Sequence, residues 1–261
     1  MLGSRGTRRS AWLRRARSAG RDHGLEAEPL RLERAHRDVR GGGLRAAVFG
    51  VSDGLVSNVS LVLGTAGAHP GAGVVRLAGL AGLLGGSFSM AAGEYVSMRA
   101  QREAFERELE VERAELREQP ESERRELERI YRRRGIDAET ARRLTDQLME
   151  DPEVALRTHA REELGIDPDA LGSPVQAAAS SFASFALGAV LPLAPFLGGS
   201  FGTAAVVAAI VLTALAALAV GAALALFTAR SKLYSALRSL GICAVAGAVT
   251  YGVGSLVGVA A

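Results

Sequence analysis

The fold class is decided by residues 203–227, which read TAAVVAAIVLTALAALAVGAALALF and contain no charged residue. A helix needs about 20 apolar residues to cross the hydrocarbon core of a bilayer. Four further stretches reach that length, at residues 44–67, 75–98, 175–197 and 237–259. We therefore predict an all-α membrane protein with five transmembrane helices.

Acidic residues are concentrated outside these five stretches, and only Asp53 and Glu94 lie within them. Of the 28 acidic residues in the chain, 20 lie between Gln101 and Pro168, and none lies beyond Leu171. A soluble globular domain would interleave charged residues with its core instead. The segregation predicts a charged helical insert between the second and third transmembrane helices.

Basic residues predict which side of the membrane holds this insert. Arg99 and Arg102 follow the second span, and Arg230 and Lys232 follow the fourth, whereas loop 69–74 contains no Arg or Lys. Arg and Lys accumulate in cytoplasmic loops. We expect the N-terminus and the insert to be cytoplasmic.

Four segments follow from this organisation. They are a basic cytoplasmic N-terminal arm (1–40), transmembrane helices 1 and 2 (41–99), a cytoplasmic helical insert (100–172) and transmembrane helices 3 to 5 (173–261). The arm contains no apolar run long enough for a secretory signal. We interpret it as a basic arm on the cytoplasmic side, with an organellar transit peptide as the alternative.

Several functional classes have no support in the sequence. Cys243 is the single cysteine, so neither a disulfide nor a multi-thiolate metal site can form within one chain. The sequence has no glycine-rich phosphate loop, no nucleophile–base arrangement and no basic-aromatic surface for nucleic acid. We expect neither an enzyme nor a permanently bound cofactor.

Helix signals divide the insert into four helices. The second span continues without a break to Gln119, and Pro120 suits the first turn of the next helix. Asp137 can cap a third helix, and Asp151-Pro152 can open a fourth that stops at Gly165.

Glutamates spaced three residues apart make the insert a candidate metal-binding region. Glu112 and Glu115 share one helix face, as do Glu123 and Glu126. Stacked like charges cost a few tenths of a kcal/mol per pair unless a cation offsets them. Carboxylates are suitable ligands for divalent ions such as Fe²⁺ and Mn²⁺. The alternative interpretation is a solvated, ion-paired helix surface.

Polar residues inside the first two spans indicate a route for such an ion. Asp53 and Met90 each lie about 12–13 Å from the cytoplasmic ends of their helices, at 1.5 Å per residue, and Glu94 follows Met90 by one turn. A charge at mid-membrane costs about 2.5–3.5 kcal/mol and usually serves a pathway or a partner. Met90 could instead be ordinary core packing, and Asp53 could pair with an arginine or a helix end.

Two motifs resemble a known family. Residues 50–58, GVSDGLVSN, and residues 87–97, SFSMAAGEYVS, resemble the first two spans of the vacuolar iron transporter family. The order of two spans, an acidic helical insert and three spans is also similar, over approximately residues 36–261. The resemblance implies a five-span homodimer that moves Fe²⁺, and often Mn²⁺, out of the cytoplasm in exchange for protons. It also implies the plasma (inner) membrane if the source is a bacterium and the vacuolar membrane if it is a eukaryote.

The resemblance also implies roles for individual residues. Asp53 and Met90 match the residues that line the ion pathway at the dimer interface of that family. The glutamates that collect metal in the insert match Glu112, Glu115, Glu123, Glu126 and Glu163.

One departure from the family concerns the methionine ligands of the insert site, whose sulfur atoms are soft ligands. Some members have two adjacent methionines where this chain has His159-Ala160. His159, one turn from Glu163, replaces them as a ligand, or the insert site consists of carboxylates alone.

We therefore expect a divalent transition-metal transporter for Fe²⁺ and Mn²⁺ that acts by proton antiport. Its partners are metal ions, protons, the lipid bilayer and a second copy of the chain. Two alternatives remain: a membrane-anchored ferritin-like protein that binds and oxidises iron, and a metal sensor that does not transport. The insert contains none of the Glu-x-x-His steps that ferritin-like sites use.

Overall fold

The structure, a computed structural model, describes residues 42–198, 202–228 and 230–260. Within these residues every regular element is a helix. The α-helices are α1 (Gly42–Gly67), α2 (Ala72–Glu118), α3 (Pro120–Arg133), α4 (Ala138–Leu148), α5 (Pro152–Glu162), α6 (Pro174–Leu197), α7 (Thr203–Thr228) and α8 (Lys232–Ala260), with a 3₁₀ turn at Pro168–Ala170. The predicted N-terminal arm, residues 1–40, lies outside the described residues.

Five of these helices are long and apolar enough to cross a membrane, namely α1, α2, α6, α7 and α8. The prediction of an all-helical protein with five candidate membrane spans is confirmed. The second of them does not end where its apolar part ends. At 47 residues, α2 is about 70 Å long at 1.5 Å per residue, more than twice the hydrocarbon thickness. One continuous helix therefore carries residues of both the membrane part and the insert.

Helices α1 and α6 pack against each other with their backbones in close approach. A Cβ atom added to Gly54 of α1 would overlap the carbonyl group of Phe185, and one added to Gly188 of α6 would overlap the carbonyl group of Val51. Small residues at such crossings are how membrane helices gain packing contacts without a hydrophobic driving force. The crossing fixes α6 beside the polar stretch of α1.

The insert is held together by a small core and by capped helix ends. Leu127, Tyr131 and Ala141 form its buried cluster between α3 and α4. The carboxylate of Asp137 accepts a hydrogen bond from the Thr140 N–H at 3.0 Å. That of Asp151 likewise accepts one from the Glu153 N–H at 2.8 Å. These caps start α4 and α5 at the predicted aspartates, whereas α5 ends at Glu162, before the predicted stop at Gly165.

Candidate metal sites

Four metal-ligating side chains meet in the insert, where α2, α3 and α5 pack together. They are Glu112, Glu123, His159 and Glu163, and we call them the insert cluster. One ligand atom from each lies within 4.8 Å of all the others. Two ligands on opposite sides of a divalent transition metal are separated by up to about 4.4 Å. A contraction of a few tenths of an ångström would therefore let all four contact a single ion.

Each residue of the cluster is positioned by a different feature of the chain. Glu112 lies near the end of the long helix α2, and Glu123 lies in the first turn of α3. His159 lies in the last turn of α5, where the N–H of Glu163 closes the helix on the His159 carbonyl at 2.8 Å. The break at Gln119 and Pro120 turns α3 so that Glu123 faces Glu112.

Three of the four residues in the cluster are buried although they are ionisable, and Glu163 is exposed. His159 is 0%, Glu112 3% and Glu123 8% exposed. Nδ1 of His159 lies 3.1 Å from Oε1 of Glu112, 3.6 Å from Oε2 of Glu163 and 3.9 Å from Oε2 of Glu123. Within the described residues, all ion pairs of these three carboxylates are with His159. A divalent cation would compensate this excess of negative charge.

Several buried polar atoms of the cluster lack a hydrogen-bond partner and could bind a cation. Neither ring nitrogen of His159 makes a well-directed hydrogen bond within the described residues, and the same is true of Oε1 of Glu112. The contact between Nδ1 and that oxygen is thus close but poorly aligned. Buried polar atoms normally have a partner. One imidazole and three carboxylates form a ligand set that suits Fe²⁺, Mn²⁺, Co²⁺ or Zn²⁺.

The surroundings shift three pKa values in the cluster upwards. Burial raises the pKa of Glu123 and of Glu163, and the charge of Glu112 raises both further. Burial acts to lower the pKa of His159, but the carboxylates of Glu112, Glu163 and Glu123 favour the charged ring more strongly, so this pKa is raised as well. All three groups hold their protons more tightly than in water.

Glu115 and Glu126, also candidates from the sequence, lie at the edge of the cluster. Glu115 is exposed, and Glu126 is half-buried with an oxygen 3.5 Å from Arg129. Their charges still contribute to the raised pKa of Glu123, after burial and Glu112. The structure therefore brings Glu112 to Glu123, His159 and Glu163, and leaves Glu115 and Glu126 as outlying negative charges.

A second polar site lies between the apolar parts of α1, α2 and α6. A cavity of about 440 Å³ opens there, and both Asp53 and Met90 line it. Seven further residues complete the lining: Ser57, Asn58, Leu61, Gly82, Gly86, Ser89 and Phe185. The structure brings Asp53 and Met90 to one cavity, as their similar depth in the sequence indicated.

Asp53 is exposed at this cavity, and its described hydrogen bond is from Ser57. The Ser57 hydroxyl donates to Oδ1 of Asp53 at 3.1 Å. Among the described ion pairs, none involves Asp53. Met90 is half-buried. Glu94, half-buried one turn further along α2, is not among the residues that line the cavity.

Helix α2 connects the cavity to the insert cluster. Met90 and Glu112 are 22 positions apart on this one helix, which corresponds to about 33 Å along its axis. Two candidate ion sites are therefore held at a fixed separation by a single element.

Ser57, Ser89 and Phe185 were missed as lining residues by reasoning from the sequence. The two serines lie one turn from Asp53 and next to Met90, so helical periodicity could have found them. No local signal points to Phe185, because it reaches the cavity only through the crossing of α6 with α1.

Comparisons with known proteins show a family and several relatives to which this chain is similar. A sequence model of the VIT family matches residues 44–255. The chain is 38% identical over 220 residues to a vacuolar iron transporter of Acanthamoeba castellanii, covering 82% of this chain and 78% of that protein. It is 31% identical to vacuolar iron transporter 1 of Eucalyptus grandis (88% and 94% covered) and 30% identical to that of Arabidopsis thaliana (80% and 83%).

Proposed function

Because this chain belongs to the VIT family, we propose that it transports Fe²⁺, and also Mn²⁺, out of the cytoplasm in exchange for protons. The printed names of its relatives are those of iron transporters. The observation that carries the proposal is that one helix, α2, contributes both Glu112 to the insert cluster and Met90 to the cavity of Asp53.

The insert cluster serves as the capture site in this proposal. Its selectivity against Mg²⁺ and Ca²⁺ comes from the type of ligand, because all of these ions carry the same charge. The imidazole of His159 favours the later transition metals. Its raised pKa values mean that an ion displaces protons when it binds. Glu115 and Glu126 add negative charge at the rim, which attracts cations from solution.

The cavity provides the crossing point. Asp53 supplies a carboxylate oxygen and Met90 a thioether, a pair that favours a soft divalent metal over Mg²⁺. Protonation of Asp53 from the far side would remove its charge and release the ion, and Glu94 would relay ions between the insert and Met90. One proton entering for each release couples metal export to proton uptake.

We also propose that the insert is cytoplasmic and that two copies form a homodimer around the pathway. An exposed carboxylate such as Asp53 is expensive to place against lipid, at about 2.5–3.5 kcal/mol. A second copy packed over the cavity would remove it from lipid. The arginines that follow the apolar part of α2 support the cytoplasmic side for the insert.

Flux measurement in proteoliposomes tests this proposal. The purified protein should accumulate Fe²⁺ and Mn²⁺ when a pH gradient is imposed, and dissipating the gradient should stop accumulation. Asp53→Ala should abolish flux while metal binding to the insert persists. Flux at the wild-type rate in Asp53→Ala would contradict the pathway. Metal binding without any flux would favour a sensor, and oxygen-dependent conversion of Fe²⁺ to Fe³⁺ would favour a ferritin-like oxidase.

A further inference from the structure

Asn58 is the only asparagine in the 261 residues of the chain, and it lies in the wall of the cavity of Asp53. It follows Asp53 on α1 by five residues and is 1% exposed. An amide side chain buried this deeply in an apolar helix needs partners for both its nitrogen and its oxygen.

The orientation of the Asn58 amide is fixed by helix α6. Its Nδ2 donates a hydrogen bond of 2.6 Å to the carbonyl oxygen of Ala189. Because that oxygen can only accept, the amide nitrogen must face α6 and Oδ1 must point away from it. Pro192, inside α6, has no N–H and therefore leaves the carbonyl of Gly188, the residue before Ala189, without its helical donor.

Oδ1 of Asn58 points toward α2 and has no hydrogen-bond partner within the described residues. On α2 it faces Gly82, which also lines the cavity. A methyl group at residue 82 would lie 2.6 Å from Oδ1. Glycine at position 82 therefore lets α2 approach this oxygen closely, whereas any side chain there would press on it. Asp53 and Met90 line the same cavity.

We propose that Oδ1 of Asn58 is a ligand of the transported divalent cation in this cavity, an inference that rests on the proposed function. A neutral amide oxygen binds a cation without adding charge. Together with the carboxylate of Asp53 and the thioether of Met90, it supplies three different ligand types from two helices. The hydrogen bond to Ala189 makes α6 the element that positions the oxygen.

The single asparagine makes a direct test possible. The full chain, produced with ¹³C-labelled asparagine and reconstituted in nanodiscs, is loaded with Mn²⁺, and electron–nuclear double resonance detects ¹³C near the ion. Coupling to the side-chain carbonyl carbon is expected. An ion in the insert cluster, about 33 Å away along α2, is too distant to produce it. Absence of coupling at saturating Mn²⁺ would overturn the proposal.

Flux kinetics supply a second test that separates a ligand from a structural tie. Asn58→Leu keeps the branched shape of the side chain but removes its oxygen together with the hydrogen bond to Ala189. Gly82→Ala presses a methyl group against Oδ1 and retains both partners of the bond to Ala189, so this variant separates the two roles. Both variants should raise the half-saturating Mn²⁺ concentration about tenfold or more. Ser60→Ala, whose hydroxyl bonds only its own helix at Val56, is the matched control and should not change it.

The outcomes of the two tests distinguish this proposal from the proposed function. If Asn58→Leu does not fold, Gly82→Ala and the labelled wild-type protein still decide the question. An unchanged half-saturating concentration in Gly82→Ala and Asn58→Leu, beside normal wild-type flux, would overturn the ligand role alone. No flux in the wild-type protein, beside clear ¹³C coupling, would contradict transport and retain Asn58 as a ligand.

Discussion

Nδ1 of His159 on α5 lies 3.1 Å from Oε1 of Glu112 on α2, and both side chains are buried. This contact ties the last helix of the insert to the helix that also lines the membrane cavity. The two atoms are close, but they do not form a well-directed hydrogen bond with each other. Under the proposed function, a metal ion bound here would displace a proton from the cluster.

Glu112 and Glu115 both lie on α2, and the difference in their burial should make Glu112 the more important of the two for metal binding. Glu112→Gln removes a buried carboxylate of the cluster and should lower Mn²⁺ affinity of the full-length protein about tenfold or more. Glu115→Gln, three residues away and exposed, changes the same functional group outside the cluster and should lower affinity much less. Calorimetric titration in detergent compares them. Equal losses in both variants would show that general negative charge, not the cluster, binds the ion.

Metal affinity should rise with pH. The pKa values of His159, Glu123 and Glu163 are raised, so at mildly acidic pH protons occupy groups that the metal requires. Affinity should fall by about tenfold per pH unit for each proton displaced. Titration in two buffers of different ionisation enthalpy counts the protons released. A flat profile between pH 5.5 and 7.5, with no proton release, would contradict a ligand role for these groups.

The buried core of the insert should determine the stability of α3 and α4. Leu127 is 0% exposed and lies one turn after Glu123. Leu127→Ala should therefore lower the free energy of unfolding by about 2–5 kcal/mol. Amide hydrogens of α3 and α4 should then exchange about thirtyfold faster or more. Val154→Ala, at a residue 40% exposed, is the control and should stay within about 0.5 kcal/mol. Similar exchange rates in the two variants would contradict the assigned core.

Two copies should meet along the exposed stripe of α1 that contains Asp53, Ser57 and Leu61. In a twofold dimer the same surface meets itself. Leu61→Cys in a Cys243→Ser background should therefore form a cross-linked dimer with a short bifunctional maleimide in membranes. Val207→Cys, equally apolar and 52% exposed on α7, is the control. Cross-linking at residue 207 but not at 61 would place the interface elsewhere.

Close helix packing in the membrane part can be tested with a pair of glycines. Gly54→Ala puts a methyl group against the carbonyl of Phe185, so α1 and α6 must move apart and the melting temperature in detergent should fall. Gly241→Ala, where a methyl group meets no atom within 4 Å, should leave it unchanged. An unaltered melting temperature in Gly54→Ala would contradict the observed crossing.

Much of the fold could be predicted from the sequence because the signals are local. The charge-free run at residues 203–227 is sufficient for a membrane span. Pro120, Asp137 and Asp151 mark helix starts through backbone geometry and side-chain caps that involve only the next few residues. Asp53 and Met90 could be matched in depth because helix rise is constant.

Contacts between helices could be decided only by the tertiary structure. Spacing pairs Glu112 with Glu115, yet packing pairs Glu112 with Glu123, His159 and Glu163, because the turn at Pro120 and the approach of α5 set which faces meet. The direction of the Asn58 oxygen depends in the same way on Ala189, which is 131 residues away. Sequence thus determined which helices form, and packing determined which polar groups share a site, since helix crossings depend on side chains far apart in the chain.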